Sequence, residues 1–115
     1  MLDIQTKTIE NAVIVSIRGD VDLYSSPQVR KVLLELIQKK SPAVFVDLEA
    51  VNYMDSSGVA TLVEGLQRVK KYDGKLYIYN LQGAVRDVFE LSRLDKVFHI
   101  FPNESEAMKA YDDKN

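Results

Sequence analysis

Residues 43–48, AVFVDL, form a short and nearly continuous apolar run near the middle of the chain. Such a run is typical of a strand that is buried on both faces of a parallel sheet. The apolar positions that come next have the spacing of one helix face: Val59, Leu62, Val63, Leu66 and Val69. A buried strand followed by an amphipathic helix indicates an α/β domain.

The same alternation continues toward the N-terminus. Residues 12–18 are rich in β-branched side chains and predict a strand, which Gly19 is expected to end. Residues 4–9 predict an antiparallel hairpin partner for that strand. The triplet 25–27, Ser-Ser-Pro, predicts the start of a helix that ends near residues 39–40, with a serine accepting bonds from free backbone N–H groups.

Toward the C-terminus the elements become shorter. Residues 76–79 and 97–101 predict two strands, and residues 83–91 predict a helix between them. A last helix is expected to begin at Asn103, because Glu106 stands three residues further on in the arrangement of a capping box.

The predicted order is therefore β-β-α-β-α-β-α-β-α. Strands alternating with helices through short links predict one α/β domain over residues 1–115, with right-handed crossovers. The sheet is expected to be mixed and mostly parallel, with four to five strands, and about four helices pack against it.

Composition and charge exclude several classes of function. The chain has 115 residues, 46% hydrophobic and 28% charged, which fits one globular domain. It has no cysteine and one histidine, so disulfides, thiolate metal sites and multi-histidine sites are excluded. The net charge is -2 and the basic residues are scattered, unlike a nucleic-acid-binding surface. No apolar run approaches the ~20 residues that span a bilayer, and no signal peptide is evident. We expect a cytoplasmic protein without a cofactor, metal or membrane insertion.

The parallel topology is expected to bring three loops together. Residues 20–25, 52–58 and 81–83 each follow a predicted strand, and ligands of α/β domains favour the carboxyl ends of the strands. The first two loops carry acidic residues, and the second also carries two adjacent hydroxyls at the start of a helix. This edge of the sheet is therefore the candidate site.

Two chemistries are disfavoured there by missing residues. Serine hydrolysis lacks the Gly-x-Ser-x-Gly pattern around Ser56 and Ser57, and its one possible base, His99, lies in a terminal apolar segment. Phosphate binding by a glycine-rich loop lacks the required glycines, and no lysine stands beside Gly58.

A receiver-type aspartyl-phosphate domain is a third possibility. Asp20, Asp22 and Asp55 supply oxygen ligands of the kind that magnesium prefers. Such a domain also needs a lysine at the end of the last parallel strand, where this chain has Phe-Pro-Asn at residues 101–103.

The remaining feature is a hydroxyl at the start of a helix, and it has two interpretations. In the structural one, Asp55 or Ser56 caps the helix, Ser57 occupies its first turn and Gly58 makes a tight turn. In the functional one, the segment is a phosphoacceptor, because it is short and accessible and a helix N-terminus tolerates a phosphate.

Three segments resemble the STAS domain of bacterial anti-sigma factor antagonists. Residues 54–58, MDSSG, look like the signature of that family, and residues 18–22, RGDVD, resemble its segment of glycine, acid, apolar residue and aspartate. Residues 85–94, VRDVFELSRL, resemble its later helix. The resemblance covers residues 4–111, which would form the core of a single STAS domain.

The resemblance implies a non-enzymatic, partner-switching regulator. In that family the unphosphorylated form binds an anti-sigma factor that is also a serine kinase, which releases the sigma factor. The kinase then phosphorylates the first serine of the motif, here Ser56, and a PP2C-type phosphatase restores the free form. The partner-facing surface implied in this way comprises Asp20, Asp22, Tyr24, Asp55, Ser57 and Gly58.

Two other functions stay open at this point. A STAS subunit of a lipid-transport ABC complex would bind an ATPase without being phosphorylated, and the intact Asp-Ser-Ser-Gly motif argues against it. The receiver-like domain would carry an acyl phosphate in place of a serine ester.

Overall fold

The computed structural model describes residues 2–114 and contains one five-stranded sheet in the order β1-β2-β3-β4-β5. The strands are β1 (Asp3–Ile9), β2 (Ala12–Val21), β3 (Ala43–Met54), β4 (Lys75–Tyr79) and β5 (His99–Phe101). Strand β1 pairs antiparallel with β2, and the other three pairings are parallel. The predicted N-terminal hairpin and the mixed, mostly parallel sheet are thus confirmed.

Four α-helices connect or follow these strands, as predicted. They are α1 (Ser26–Gln38), α2 (Ser56–Lys70), α3 (Gly83–Leu91) and α4 (Glu104–Lys114). Asn103 Oδ1 accepts a hydrogen bond from the Glu106 amide at 2.9 Å, which is half of the predicted capping box. Within residues 2–114, none of the helices has the length and apolar character to cross a membrane.

The last strand is shorter than predicted. A 3₁₀ turn, Leu94–Lys96, precedes it, and the amides of Val97 and Phe98 both donate to the carbonyl oxygen of Leu94, at 3.0 and 2.9 Å. These bonds keep both residues in the turn, so pairing with β4 begins only at His99.

Each face of the sheet has its own core, because side chains alternate along a strand. One face carries Val15, Val46 and Ile78, which pack against helices α1, α2 and α3. The opposite face carries Phe45 and Tyr77, which pack against α4.

Strands β2 and β3 are longer than predicted, and this corrects the sequence analysis. Gly19 was expected to end β2, and residue 48 was the expected end of β3. Instead Gly19, with φ of 111°, lies within the ladder, and β3 continues to Met54. The register shifts twice along this part, so that β3 contains two extra residues relative to β2. Such bulges change the phase of the alternation, and they return Val51 and Met54 to the buried face.

The extra length of β3 separates the third loop from the other two. Pairing with β4 ends at Asp47, seven residues before Met54, and an extended strand of that length spans roughly 20 Å. The loop after β4 stays near the point where the β3–β4 pairing ends. Asn80 Nδ2 donates to Asp47 Oδ1 at 3.0 Å, and Gln82 Nε2 donates to the Glu49 carbonyl at 2.8 Å. The prediction that residues 81–83 join the site is therefore wrong.

Candidate functional site

The site lies where the long β2–β3 pair ends and helices α1 and α2 begin. Val21 and Met54 are register partners at the last position of the ladder, and both side chains are buried. The Asp55 amide donates to the Val21 carbonyl at 3.1 Å, so the pairing extends into the loop that starts α2. Residues 20–25 and 52–58 are therefore neighbours, as the sequence predicted.

The Asp55 carboxylate holds these two loops together. Its Oδ1 accepts hydrogen bonds from the amides of Ser57 at 2.9 Å and Gly58 at 3.3 Å, which caps α2. Its Oδ2 accepts a bond from the amide of Leu23 at 3.2 Å, in the other loop. Of the two caps that the sequence allowed, the structure has Asp55. One side chain thus stabilises both the start of the helix and the neighbouring loop.

The loop before α1 is organised around Asp22. Its Oδ1 accepts bonds from the amides of Tyr24 at 2.9 Å and Ser25 at 3.0 Å. The bond from the Ser25 amide, followed by that from the Tyr24 amide, holds the pKa of Asp22 below its usual value. Ser25 Oγ accepts from the Asp22 amide at 2.9 Å and donates to the Asp20 carbonyl at 2.8 Å. The prediction that a serine hydroxyl caps α1 is therefore wrong, because this hydroxyl is bonded within the loop.

The two serines of the motif differ in accessibility. Ser56 is the first residue of α2 and is exposed, whereas Ser57 is the second and is half-buried. Neither hydroxyl makes a hydrogen bond to any other residue in the range 2–114. The N-terminal end of a helix favours negative charge, so a phosphate on Ser56 is compatible with this position.

Gly58 has a packing role that the sequence did not predict. It is buried in the first turn of α2, and a Cβ atom there would lie 2.7 Å from Met54 Cγ and 2.8 Å from Val21 Cγ1. It does not form a tight turn, since the glycines with positive φ in residues 2–114 are Gly19 and Gly83. Gly58 thus lets α2 approach the strands closely.

Large apolar side chains are exposed in both loops. Leu23, Tyr24 and Tyr53 are 65%, 89% and 49% exposed. Tyr53 lies opposite Asp20 in the ladder, and both residues are exposed. Of the three, only Tyr24 was predicted to be a site residue, although Leu23 and Tyr53 lie in the same two loops.

The two loops themselves carry only negative charge. Residues 19–29 and 49–63 contain four acidic residues and no lysine or arginine. Two arginines flank the first of these segments. Arg18 on β2 is exposed, whereas Arg30 on α1 is already paired: its Nε and Nη2 donate to the two Glu64 oxygens at 2.8 and 2.9 Å. Arg68 donates to Glu64 at 2.9 Å as well. Hydrogen bonds from Arg30 and then from Arg68 lower the pKa of Glu64 from 4.5 to about 2.

The sequence alternative of a magnesium site gains no support from this geometry. Both Asp55 oxygens and Asp22 Oδ1 accept bonds from backbone amides. Over residues 2–114, no group of three or more acidic, histidine or cysteine side chains is arranged to hold a metal ion.

Comparison with known proteins identifies the family. The STAS domain profile matches residues 3–107. The anti-sigma-B factor antagonist of Staphylococcus aureus (strain NCTC 8325 / PS 47) is 31% identical over 99 residues, which covers 86% of this chain and 92% of the relative.

Two solved structures share the fold. An anti-sigma factor antagonist from Mycobacterium paratuberculosis has a TM-score of 0.89 at 24% identity, over 96% of this chain and 93% of that one. The phosphorylated form of the Bacillus protein SpoIIAA has a TM-score of 0.74 at 22% identity, over 95% of this chain and 99% of that one. The predicted resemblance is thus confirmed, and the chain is a STAS domain protein of the bacterial anti-sigma factor antagonist family.

Proposed function

We propose that this protein is an anti-sigma factor antagonist that works by partner switching. In its unphosphorylated form it binds an anti-sigma factor that is also a serine kinase, and phosphorylation of Ser56 ends that binding. The observation that carries the proposal is the exposed Ser56 hydroxyl at the start of α2, beside Asp55 and next to an acidic loop with exposed apolar side chains.

The relatives support this reading. The matched Staphylococcus aureus protein is named an anti-sigma-B factor antagonist. SpoIIAA, which shares the fold, has been solved in unphosphorylated and phosphorylated forms. In this chain Ser56 is the acceptor that we propose, because Ser57 is half-buried. The chain would then be a kinase substrate and not an enzyme.

The rest of the cycle follows from the same proposal. A PP2C-type phosphatase would remove the phosphate, and the exposed position of Ser56 leaves it accessible to such an enzyme. The STAS domain would extend over residues 4–111. Because bacterial transcription takes place in the cytoplasm, the proposed function requires a cytoplasmic protein.

Electrostatic repulsion is the proposed means of release. A phosphoserine adds about -1.5 to -2 charges, beside Asp55 and between loops, residues 19–29 and 49–63, that contain no lysine or arginine. Unit charges about 6 Å apart repel by roughly 0.7 kcal/mol in water and about four times that at an effective dielectric of ~20. Docking removes water, so the repulsion grows as the complex forms. A loss of about 3 kcal/mol weakens binding on the order of a hundredfold.

The test is the affinity of both forms for the cognate anti-sigma factor kinase, identified as the protein that phosphorylates this chain. Calorimetry should give about hundredfold weaker binding for the phosphorylated form. Circular dichroism melts should be similar for the two forms, because a helix N-terminus favours the added charge. Ser56→Asp should reproduce part of the loss, since it adds less charge than a phosphate.

Three outcomes would contradict the proposal. Equal affinity of the two forms would remove the switch, and a much lower melting temperature of the phosphorylated form would replace repulsion by unfolding. Binding to an ABC transporter ATPase without phosphorylation would favour the lipid-transport alternative.

A further inference from the structure

We infer that Leu23, Tyr24 and Tyr53 form an apolar anchor for the partner, and that the partner presents an apolar pocket rimmed by basic side chains. The inference rests on the proposed function and deepens it. It assigns separate roles to the apolar side chains and to the acids around them.

The exposed large apolar side chains are concentrated in the two loops of the site. Large hydrophobic side chains exposed within residues 2–114 are Leu23, Tyr24, Tyr53, Leu91 and Val97. The first two directly follow Asp22, and Tyr53 stands two residues before Asp55. Apolar side chains that cluster on a surface mark interaction sites more often than scattered ones do. Tyrosine in particular is enriched among the residues that dominate binding energy.

The backbone of the anchor is held in place before any partner binds. The Leu23 amide donates to Asp55 Oδ2 at 3.2 Å, and the Tyr24 amide donates to Asp22 Oδ1 at 2.9 Å. Tyr53 belongs to the β2–β3 ladder, where it faces Asp20. Preorganised groups lose less conformational entropy on binding, so more of their contact energy appears as affinity.

The negative charge of the two loops indicates which kind of partner binds the anchor. Asp20, Asp22 and Asp55 lie among the anchor residues, and residues 19–29 and 49–63 have no lysine or arginine. A second copy of this chain would bring the same acids to the contact, and like charges oppose association. A partner with an apolar pocket and basic side chains opposite Asp20 and Asp22 complements both features. A phosphate on Ser56 lies instead at the start of α2, where docking would have to desolvate it beside Asp55.

The apolar anchor and the acidic side chains around it should affect the binding kinetics differently. Charges at the rim of an interface act mainly on the association rate and on its salt dependence. Buried apolar anchors act mainly on the dissociation rate. The anchor and the acids are therefore separable by kinetics.

The experiment measures association and dissociation rates of the full chain with the purified anti-sigma kinase, at low and high salt. Leu23→Ser and Tyr53→Ser should each weaken binding about tenfold to a hundredfold, through faster dissociation and with an unchanged salt dependence. Asp20→Asn should slow association and reduce its salt dependence. Leu91→Ser is the matched control, because Leu91 is 86% exposed and lies at the end of α3.

Each outcome supports or overturns the inference. If the unchanged protein binds the kinase and both serine variants bind as tightly, the inference is wrong and the proposed function stands. If the unchanged protein neither binds nor is phosphorylated, both are wrong. A dimer in sedimentation that Tyr53→Ser converts to a monomer would make a second copy the occupant and overturn the inference. Should Tyr53→Ser melt early, Tyr24→Ser carries the test, because Tyr24 is 89% exposed in a loop.

Discussion

Helices α1 and α2 begin side by side with similar residues, but their serine pairs have opposite environments. Before α1, Asp22 is followed by Ser25 and Ser26; before α2, Asp55 is followed by Ser56 and Ser57. In the first pair the Ser25 hydroxyl is bonded within its loop and Ser26 is buried.

In the second pair Asp55 directly precedes the serines, and this changes which group caps the helix. The Asp55 carboxylate takes the backbone amides of the first turn, so the helix needs no serine as a cap. The Ser56 hydroxyl is left exposed and without a bond to any of residues 2–114. The position of the aspartate relative to the serines therefore determines whether a serine hydroxyl at a helix start is bonded within the protein or left available for modification.

The largest expected effect concerns phosphorylation. Ser56→Ala should lose all phosphate transferred by the kinase, whereas Ser25→Ala should keep it, because the Ser25 hydroxyl is held by two hydrogen bonds. Phosphopeptide mass spectrometry after incubation with kinase and ATP provides the measurement. Substantial phosphate on Ser57 in the Ser56→Ala protein would break the comparison, since it would show that exposure does not select the acceptor.

A smaller effect is expected on stability from Gly58. Gly58→Ala places a Cβ against Met54, Val21 Cγ1 and, at 3.1 Å, the Val21 carbonyl oxygen. We expect the free energy of unfolding in urea to fall by about 1–3 kcal/mol. Gly65→Ala is the control within the same helix: its Cβ would meet only side-chain ends of Leu76 and Leu33, at 3.3 and 3.4 Å. Helix propensity should offset that contact. Equal losses would show that Gly58 has no special packing role.

The Asp55 cap should contribute less. Asp55→Ala is expected to lower the free energy of unfolding by about 1 kcal/mol, the usual value of a helix cap. It should also speed hydrogen exchange of the Leu23 amide, which loses its acceptor. Asp22→Ala, in contrast, should speed exchange at Tyr24 and leave the Ser57 amide protected. Unchanged Leu23 exchange in Asp55→Ala would mean that Asp55 does not join the two loops.

The smallest expected effect comes from Glu64 on α2, which pairs with Arg30 on α1 and with Arg68 on its own helix. The pKa of Glu64 is lowered from 4.5 to about 2, so the folded state binds the proton less readily than the unfolded state. The stabilisation is therefore present above pH 4.5 and is lost as the pH falls toward 2. Because solvent screens the pair, Glu64→Gln should cost less than about 1 kcal/mol at neutral pH.

The control for that prediction is Glu35→Gln, an exposed position on α1. Urea unfolding of Glu64→Gln and the unchanged protein should converge in acid. A difference that persists unchanged below the pKa of Glu64 would show that packing, and not charge, joins the helices there.

Much of the fold was predictable because its signals are local. The helix faces follow from apolar spacing, as in Leu62 and Leu66 of α2, and the Asp55 cap joins residues only two and three positions apart. The length of β3 was not predictable. Its two bulges break the alternation after residue 48, so Val51 and Met54 do not follow the strand pattern although they are buried.

The order of strands and helices, the family motif and the serine at the start of α2 follow from local patterns in the sequence. These depend on residues close together in the chain, whose spacing alone expresses the interaction. The tertiary structure alone decided that the third loop lies elsewhere, that Gly58 packs on Val21, and that Leu23 and Tyr53 stay exposed. These facts depend on the register of two long strands, and a shift of one residue reverses which side chains face the core.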